Sequence, residues 1–368
     1  MDTMFDSMDT MFDLEILPRL PVNTLQSCKC VTKEWNNWIK NPSFINFHLE
    51  KSIQNLNFNL VLFNPITNAI GNFDAKTLLP TTELYTFNLK KKLIMVGSCN
   101  GVLCYKFNES SEGSLYGLLL YNPTTRTTKT FYVPKLNHNL EGNPYYNDNE
   151  AFGFTCDNKN KDYKFVSIVR QEIHVYNLKS MSWKRIGEYS GKFCLQRIGG
   201  DVARGFPTDN ALHWFYGDTS GIKGMFSIDF VCNKQFKTPF PRYDGRPSFV
   251  YLRGSLHLVL SKYIMHMNSW SIEIGLWVMN KYGNWHDSWV QLFKVQLDDM
   301  QYSTIPISFT EDGHKVLLEC WRQREEKNKK SYVWYDLFTK ELGNELHDVS
   351  SDLIAESCLE TLVDPRSM

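Results

Sequence analysis

Six times along the chain a short apolar run ends in Asn or Asp, turns, and gives way to a second strand-like run. The runs are Leu60-Val61-Leu62-Phe63-Asn64, Leu119-Leu120-Tyr121-Asn122, Ile173-His174-Val175-Tyr176-Asn177, Met225-Phe226-Ser227-Ile228-Asp229, Leu276-Trp277-Val278-Met279-Asn280 and Tyr332-Val333-Trp334-Tyr335-Asp336. Their last residues are separated by 58, 55, 52, 51 and 56 positions. Runs rich in branched and aromatic residues and bounded by turn formers read as strands. The Asn or Asp at each end has a physical use, because its side-chain oxygen can bond to backbone two residues on and set the turn.

A period near fifty in all-β sequence predicts a kelch-like β-propeller of about six blades, one four-stranded sheet per period. Each interval has room for the other strands: between Asn122 and Asn177 lie Lys129–Val133, Ala151–Thr155 and Lys164–Val169. An all-β sandwich with evenly spaced hairpins is the competing arrangement. The isolated apolar run Cys358-Leu359-Glu360-Thr361-Leu362-Val363 is expected to close the ring by pairing with the first blade, which leaves no open edge.

The first fifty residues have a different texture. Val22, Leu25, Cys28, Val31, Trp35, Trp38 and Ile39 are spaced by helical steps and would lay one apolar stripe along a rod. Pro21 suits a helix start, and Pro42 is expected to stop the pattern. A stripe with two tryptophans is more than so small a unit can bury alone, so it calls for a partner. Ahead of it, Met1-Asp2-Thr3-Met4-Phe5-Asp6 recurs as Met8-Asp9-Thr10-Met11-Phe12-Asp13. Asp9 could cap a first helix using Leu14, Ile16 and Leu17, but Asp13 puts an acid on its apolar side. Pro18 would remove a hydrogen bond inside it and kink it or delay its start.

These residues carry a resemblance. Glu15-Ile16-Leu17-x-Arg19-Leu20-Pro21-Val22, Cys30-Val31-x-Lys33-x-Trp35, Trp38-Ile39, Pro42-x-Phe44 and His48-Leu49 resemble the F-box of plant F-box proteins. The downstream region is similar to the F-box-associated domain, as in S-locus F-box proteins. The likeness is carried by Gly97-Ser98-Cys99-Asn100-Gly101-Val102-Leu103-Cys104, Leu120-Tyr121-Asn122-Pro123-x-Thr125-Arg126, Ala211-Leu212-His213-Trp214 and Leu276-Trp277-Val278-Met279, among others. The expectation is an α+β chain of two domains, a helical F-box over 8–50 followed by an all-β propeller over 51–363.

What the resemblance implies is a substrate receptor of a cullin-based ubiquitin ligase, with no catalysis of its own and no cofactor. Leu14, Ile16, Leu17, Leu20, Pro21, Val22, Leu25, Val31, Trp35, Trp38 and Ile39 would dock on a Skp-family adaptor, and through it on a cullin. The propeller would recruit an unidentified target protein for ubiquitination. Tyr145, Tyr146, Trp270 and Trp285, near turn-rich segments, are candidates for contacting it. The alternative is a glycan- or ligand-binding propeller whose F-box is vestigial.

Composition excludes several other classes. Lys plus Arg equals Asp plus Glu at 40 each, so net charge argues for neither nucleic acid nor an acidic membrane. Nine scattered cysteines without metal spacing, and no signal-like or membrane-length apolar segment, point to a soluble chain in the cytoplasm, the nucleus or both. Phosphate-loop, dinucleotide, zinc-protease and nucleophile-elbow motifs are missing. Asp157–Asp162 resembles a calcium loop, but lysines stand at its third and fifth positions, where oxygen ligands are required, so it reads as a hairpin turn. The run Arg322–Lys330 reads as a solvated hairpin loop, and His213 and His257 as hydrogen-bonded sheet residues rather than metal ligands.

Overall fold

The structure, a computed structural model, describes residues 16–368 except 56–57, 75–76, 82, 110–113, 137–149, 158–161, 170, 190–191, 194–202, 209, 219–220, 243–244, 253–254, 266–269, 280–287, 298–302, 311, 325–326 and 351–352. Its strands form six blades of a β-propeller. Blade I takes Ile354–Leu359, Phe58–Asn64, Ala69–Asp74 and Tyr85–Thr86, and blade II takes Ile94–Cys99, Val102–Asn108, Leu115–Asn122 and Thr127–Pro134. Blade III is Ala151–Asp157, Asp162–Val169, Glu172–Asn177 and Ser182–Glu188. Blade IV is Phe206–Pro207, Ala211–Asp218, Gly221–Asp229 and Lys234–Pro239, with Lys192–Phe193 at the edge of its second strand. Blade V comprises Arg246–Leu252, Ser255–Met265, Trp270–Met279 and Trp289–Leu297, and blade VI comprises Ser303–Phe309, Lys315–Arg324, Lys327–Asp336 and Leu342–Ser350. Blades V and VI touch edge to edge through the parallel pair Tyr251 and Ser308.

The near-continuous apolar runs follow from burying both faces of each blade. Side chains alternate along a strand. Thus Leu60 and Leu62 pack against Leu317, Tyr332 and Trp334 of blade VI, while Val61 and Phe63 pack against Leu103, Tyr105 and Leu119 of blade II. Leu118 and Leu120 turn the other way, toward Phe152 and Phe154 of blade III. Further clusters join III to IV, IV to V and V to VI, so the core is a closed circuit of inter-blade contacts. Tryptophans join the blades at the rim and deeper in. Trp183 Nε1 donates to the Pro134 carbonyl of the preceding blade at 2.8 Å, and Trp289 Nε1 repeats this on Pro239 at 3.0 Å. Trp214, fully buried, donates to the Phe152 carbonyl at 3.1 Å.

Both histidines read as sheet residues are hydrogen-bonded there. His257 Nδ1 lies 2.9 Å from the Ser255 carbonyl. His213 has Nε2 3.0 Å from Thr208 Oγ1 and Nδ1 2.8 Å from Ser227 Oγ. Burial pushes the His213 pKa down to about 3, against a weaker opposing pull from Asp229. Unfolded, the ring titrates near 6.5, so between these values the unfolded chain binds more protons and stability falls as pH drops, by at most about 1.4 kcal/mol per pH unit. Going from pH 7 to pH 5, the wild-type Tm is expected to fall further than that of His213→Gln. Equal losses would show that another group governs the acid response.

The repeated Asn and Asp set their turns as expected. Asn122 Oδ1 accepts from the Thr124 and Thr125 N–H groups at 2.8 and 3.2 Å, and Asp229 Oδ1 from Val231 and Cys232 at 2.8 and 3.0 Å. Asn64, Asn177 and Asp336 do likewise, while Asn280 lies outside the described residues. Each turn then carries a left-handed residue four positions on: Asn68, Arg126, Met181, Asn233 and Lys340, with φ between 51° and 61°. Asn64 differs in place. Blade I takes its innermost strand from the chain's end, so Asn64 closes the second strand from the centre, whereas Asn122, Asn177, Asp229 and Asp336 close the third. The repeat read from sequence is therefore one strand out of frame at its first member.

The C-terminal closure exists, with shifted bounds. Ile354–Leu359 pairs antiparallel with Phe58–Asn64, from Phe58 opposite Leu359 to Phe63 opposite Ile354. Glu360–Val363, expected within that strand, leaves the sheet instead. Across the ring, Arg204, which with Ala203 pairs parallel to Ala151 and Phe152 on the inner strand of blade III, is ion-paired with Glu356 on the closing strand, both side chains largely buried. The basic run Arg322–Lys330 forms a hairpin, as expected, but is strand on both sides of its tip: strands extend to Arg324 and resume at Lys327. Lys330 is 2% exposed, with Nζ 3.4 Å from Glu319 and 2.7 Å from the Leu353 carbonyl. Alternation forces it inward, because Lys330 shares a strand face with Tyr332, whose hydroxyl donates to Glu319 at 2.8 Å.

Among the described residues the N-terminal module has three α-helices, α1 (Val22–Cys28), α2 (Lys33–Lys40) and α3 (Pro42–Gln54). The single stripe foreseen over Val22–Ile39 is divided because Thr32 caps a new helix, accepting from the Trp35 N–H at 3.0 Å. The pattern does stop ahead of Pro42, at Lys40, and Pro42 then opens α3 behind an Asn41 cap on Ser43 at 2.8 Å. Pro18 sits in the first turn of the short 3₁₀ segment Leu17–Arg19, where no N–H is needed, and the expected first helix ahead of Ile16 lies outside the described residues. His48 ties α3 to the chain before α1. Its Nε2 donates to the Leu20 carbonyl at 3.1 Å, and burial lowers its pKa despite that bond.

Candidate docking surfaces

The candidate adaptor residues fall into two groups. Leu17, Val22, Leu25 and Ile39 are fully buried and, with Phe44, form the core of the helical module. Ile16 is 45% exposed and Val31 62% exposed, and Pro21 is exposed as well. Leu20, Trp35 and Trp38 are half-buried, each with part of its apolar surface on that core and part facing out. Leu14 lies outside the described residues, as do Asp9 and Asp13 of the expected first helix. The module thus keeps Leu17, Val22, Leu25 and Ile39 for itself and presents Ile16, Val31 and the outer surfaces of Leu20, Trp35 and Trp38. Sequence periodicity cannot separate these groups, since helix-to-helix contact decides which side of the stripe turns inward.

The residue that spacing could not supply is Leu362. It is 4% exposed and belongs to the same core as Leu17, Val22, Leu25, Ile39 and Phe44. The helical module is therefore completed by a residue more than three hundred positions away, and the propeller side does use part of the stripe. The partner that the stripe calls for is thus in part supplied by this same chain.

The module joins the ring where Phe58 meets Leu359, at the ends of the inner strands and beside the Asn122 turn. The opposite face, which carries no helix among the described residues, begins at residues such as Ala151 and Arg246, where inner strands start. Between blades II and III, Lys106 stands there 5% exposed, with Nζ 4.3 Å from the Tyr116 ring centroid and 3.9 Å from that of Phe152. Burial depresses its pKa to about 8, with Glu150 pulling upward and Lys135 adding to the depression. The two ring faces offset part of the desolvation of the cation. Among the target-contact candidates, Trp270 opens the third strand of blade V, opposite Met265. Tyr145, Tyr146 and Trp285 lie outside the described residues.

Among the described residues no three His, Cys, Asp or Glu side chains gather as a metal site, and no helix is long and apolar enough to cross a membrane. Asp157 is ion-paired with Lys164 at 3.0 Å, and Asp162 accepts from Asn177 and from the Lys179 N–H, so the calcium-like run has its carboxylates engaged. Between blades III and IV a cavity of about 210 Å³ is lined by Thr155, Cys156, Asp157, Lys164, Asn210, Phe230 and Val231.

A family model described as the F-box associated beta propeller domain matches residues 47–359. F-box protein CPR1 of Arabidopsis thaliana is 24% identical over an alignment covering 95% of this chain and 87% of its own length. An F-box/LRR-repeat/kelch-repeat protein of the same plant is 24% identical over 86% of this chain and 87% of itself, and an F-box/kelch-repeat protein is 26% identical over 83% of each. With a six-bladed ring behind three N-terminal helices, and a family match across most of its length, the chain belongs to the F-box proteins that carry an F-box-associated β-propeller.

Proposed function

We propose that this protein is the substrate receptor of a Skp–cullin–F-box ubiquitin ligase. The helical module docks on a Skp-family adaptor, which links it to a cullin, while the propeller binds the protein to be ubiquitinated. The receptor itself is not catalytic. The observation that carries this reading is the apolar surface left on a module whose core is already completed by Leu362: Val31 62% exposed and Ile16 45% exposed, beside half-buried Trp35 and Trp38. Large apolar groups held outside a completed core mark a protein-binding surface. The propeller face remote from the helices, with Lys106 and Tyr116 at the seam of blades II and III, is the surface left for the target.

The test is co-expression of the full chain with a Skp-family adaptor, followed by size-exclusion chromatography. A stoichiometric complex with a sub-micromolar Kd is expected. Two separate peaks at micromolar concentrations of both proteins would exclude adaptor docking.

A further inference from the structure

Beyond Leu359 the chain runs on in an ordered path through contacts with two otherwise separate units. On the propeller side, Asn122 divides its side chain between two tasks. Its oxygen sets the blade II turn, while its Nδ2 donates to the carbonyls of Thr361 at 3.0 Å and Val363 at 2.8 Å. Thr361, fully buried, donates through Oγ1 to the Asn100 carbonyl at 3.0 Å. Its neighbour Gly101 is left-handed at φ 76°, and a Cβ there would stand 2.4 Å from the Leu359 oxygen. Val363 and Met368 pack on the core between blades II and III, and Lys129 Nζ donates to the Met368 carbonyl. On the helical side, Leu362 fills the core between Leu25, Ile39 and Phe44. Asp364, bonded by Arg366 at 2.7 Å, also feels the charge of Lys29, which follows α1.

Neighbouring residues of one extended segment thus face opposite ways, Thr361 and Val363 into the propeller and Leu362 into the helices. Immediately before them, the same segment supplies the innermost strand of blade I. We infer that residues 360–368 are a rigid joint that holds the helical module at one orientation to the propeller, and that ring closure and adaptor affinity are thermodynamically linked through it. The linkage clause rests on the adaptor reading above, whereas the joint itself does not. Linkage is reciprocal: whatever tightens the helices must tighten the closing strand, and a loosened ring must weaken docking. A fixed joint also sets where a bound target lies relative to the ligase, which a flexible linker could not do.

Two variants of the full chain separate the joint from general instability. Asn122→Asp keeps the oxygen that sets the turn but replaces the two donated hydrogen bonds with a charge facing two carbonyls. Leu362→Ser empties the place in the helical core and leaves the hydrogen bonds of Thr361 and Val363 intact. Hydrogen exchange followed by mass spectrometry is expected to show amides of α1 and α2 exchanging at least tenfold faster in both variants, with Gly221–Asp229 of blade IV unchanged. Adding a purified Skp-family adaptor is expected to slow exchange in Phe58–Asn64 and Ile354–Leu359 of the wild type, but not of Leu362→Ser. Unchanged helix exchange in both variants overturns the joint. Adaptor bound without protection of blade I overturns the linkage. If no adaptor binds while the variants still loosen the helices, the receptor reading fails and the joint stands.

Discussion

A chain ending at Leu353 is expected to lose the propeller altogether, recovered as aggregate or without a cooperative melting transition. The fifteen missing residues are few, but they include the innermost strand of blade I. Ile354, Leu359 and Leu362 are each at least nine-tenths buried, and burying such a side chain is worth about 1.5–3 kcal/mol. Removing the strand also leaves Arg204 without Glu356, and breaking a buried pair from one side costs about 3–5 kcal/mol. These losses approach the whole stability of a typical domain, about 5–15 kcal/mol. They also bare the edge of Phe58–Asn64, a hydrophobic strand with unpaired backbone groups that favours association with other chains.

A chain ending at Glu360 makes the contrast. It keeps every residue of the closing strand and loses residues 361–368 of the joint. It is expected to stay soluble and melt cooperatively at a lower Tm, with the helical module loosened. Soluble yield, size-exclusion profile and calorimetric Tm distinguish the two truncations. Equal behaviour would mean that strand pairing is not what closes the ring.

The parts of this architecture that were legible before the structure share one property: their chemistry is local. Asn122 and Asp229 set turns through N–H groups two and three residues away, so the turn leaves its mark in the sequence wherever a blade repeats it. The double-sided burial of each blade is equally plain in runs such as Leu118-Leu119-Leu120-Tyr121. Illegible features join residues far apart. Nothing near Leu362 announces a place in a helical core, and nothing near Lys330 announces a buried ion pair with Glu319 rather than a solvated loop. Asn122 shows both sides, because its oxygen was readable as a turn former and its amide donors were not. The docking surface was legible as a set but not as a division, since both the buried Leu25 and the exposed Val31 satisfy the same helical spacing.

That division makes the strongest test of docking. Val31→Asp and Ile16→Asp place charges on exposed apolar positions that contribute little to the module's core, so melting should change little. Adaptor affinity should fall by about 30-fold or more for a central contact, the equivalent of about 2 kcal/mol at an interface hot spot. Leu25→Ala is expected to fail for another reason. It leaves a cavity in the core and costs about 2–5 kcal/mol, enough to melt three short helices, so weakened binding should come with rapid exchange in α1 and α2. Trp35→Ala combines the two effects, because the ring lies half on the core and half outside it. Calorimetry with the purified adaptor, paired with exchange rates for each variant, separates lost contact from lost fold. Wild-type affinity in a folded Trp35→Ala removes that tryptophan from the docking surface. Wild-type affinity in both Val31→Asp and Ile16→Asp would mean that the adaptor, if it binds, uses another face of the molecule.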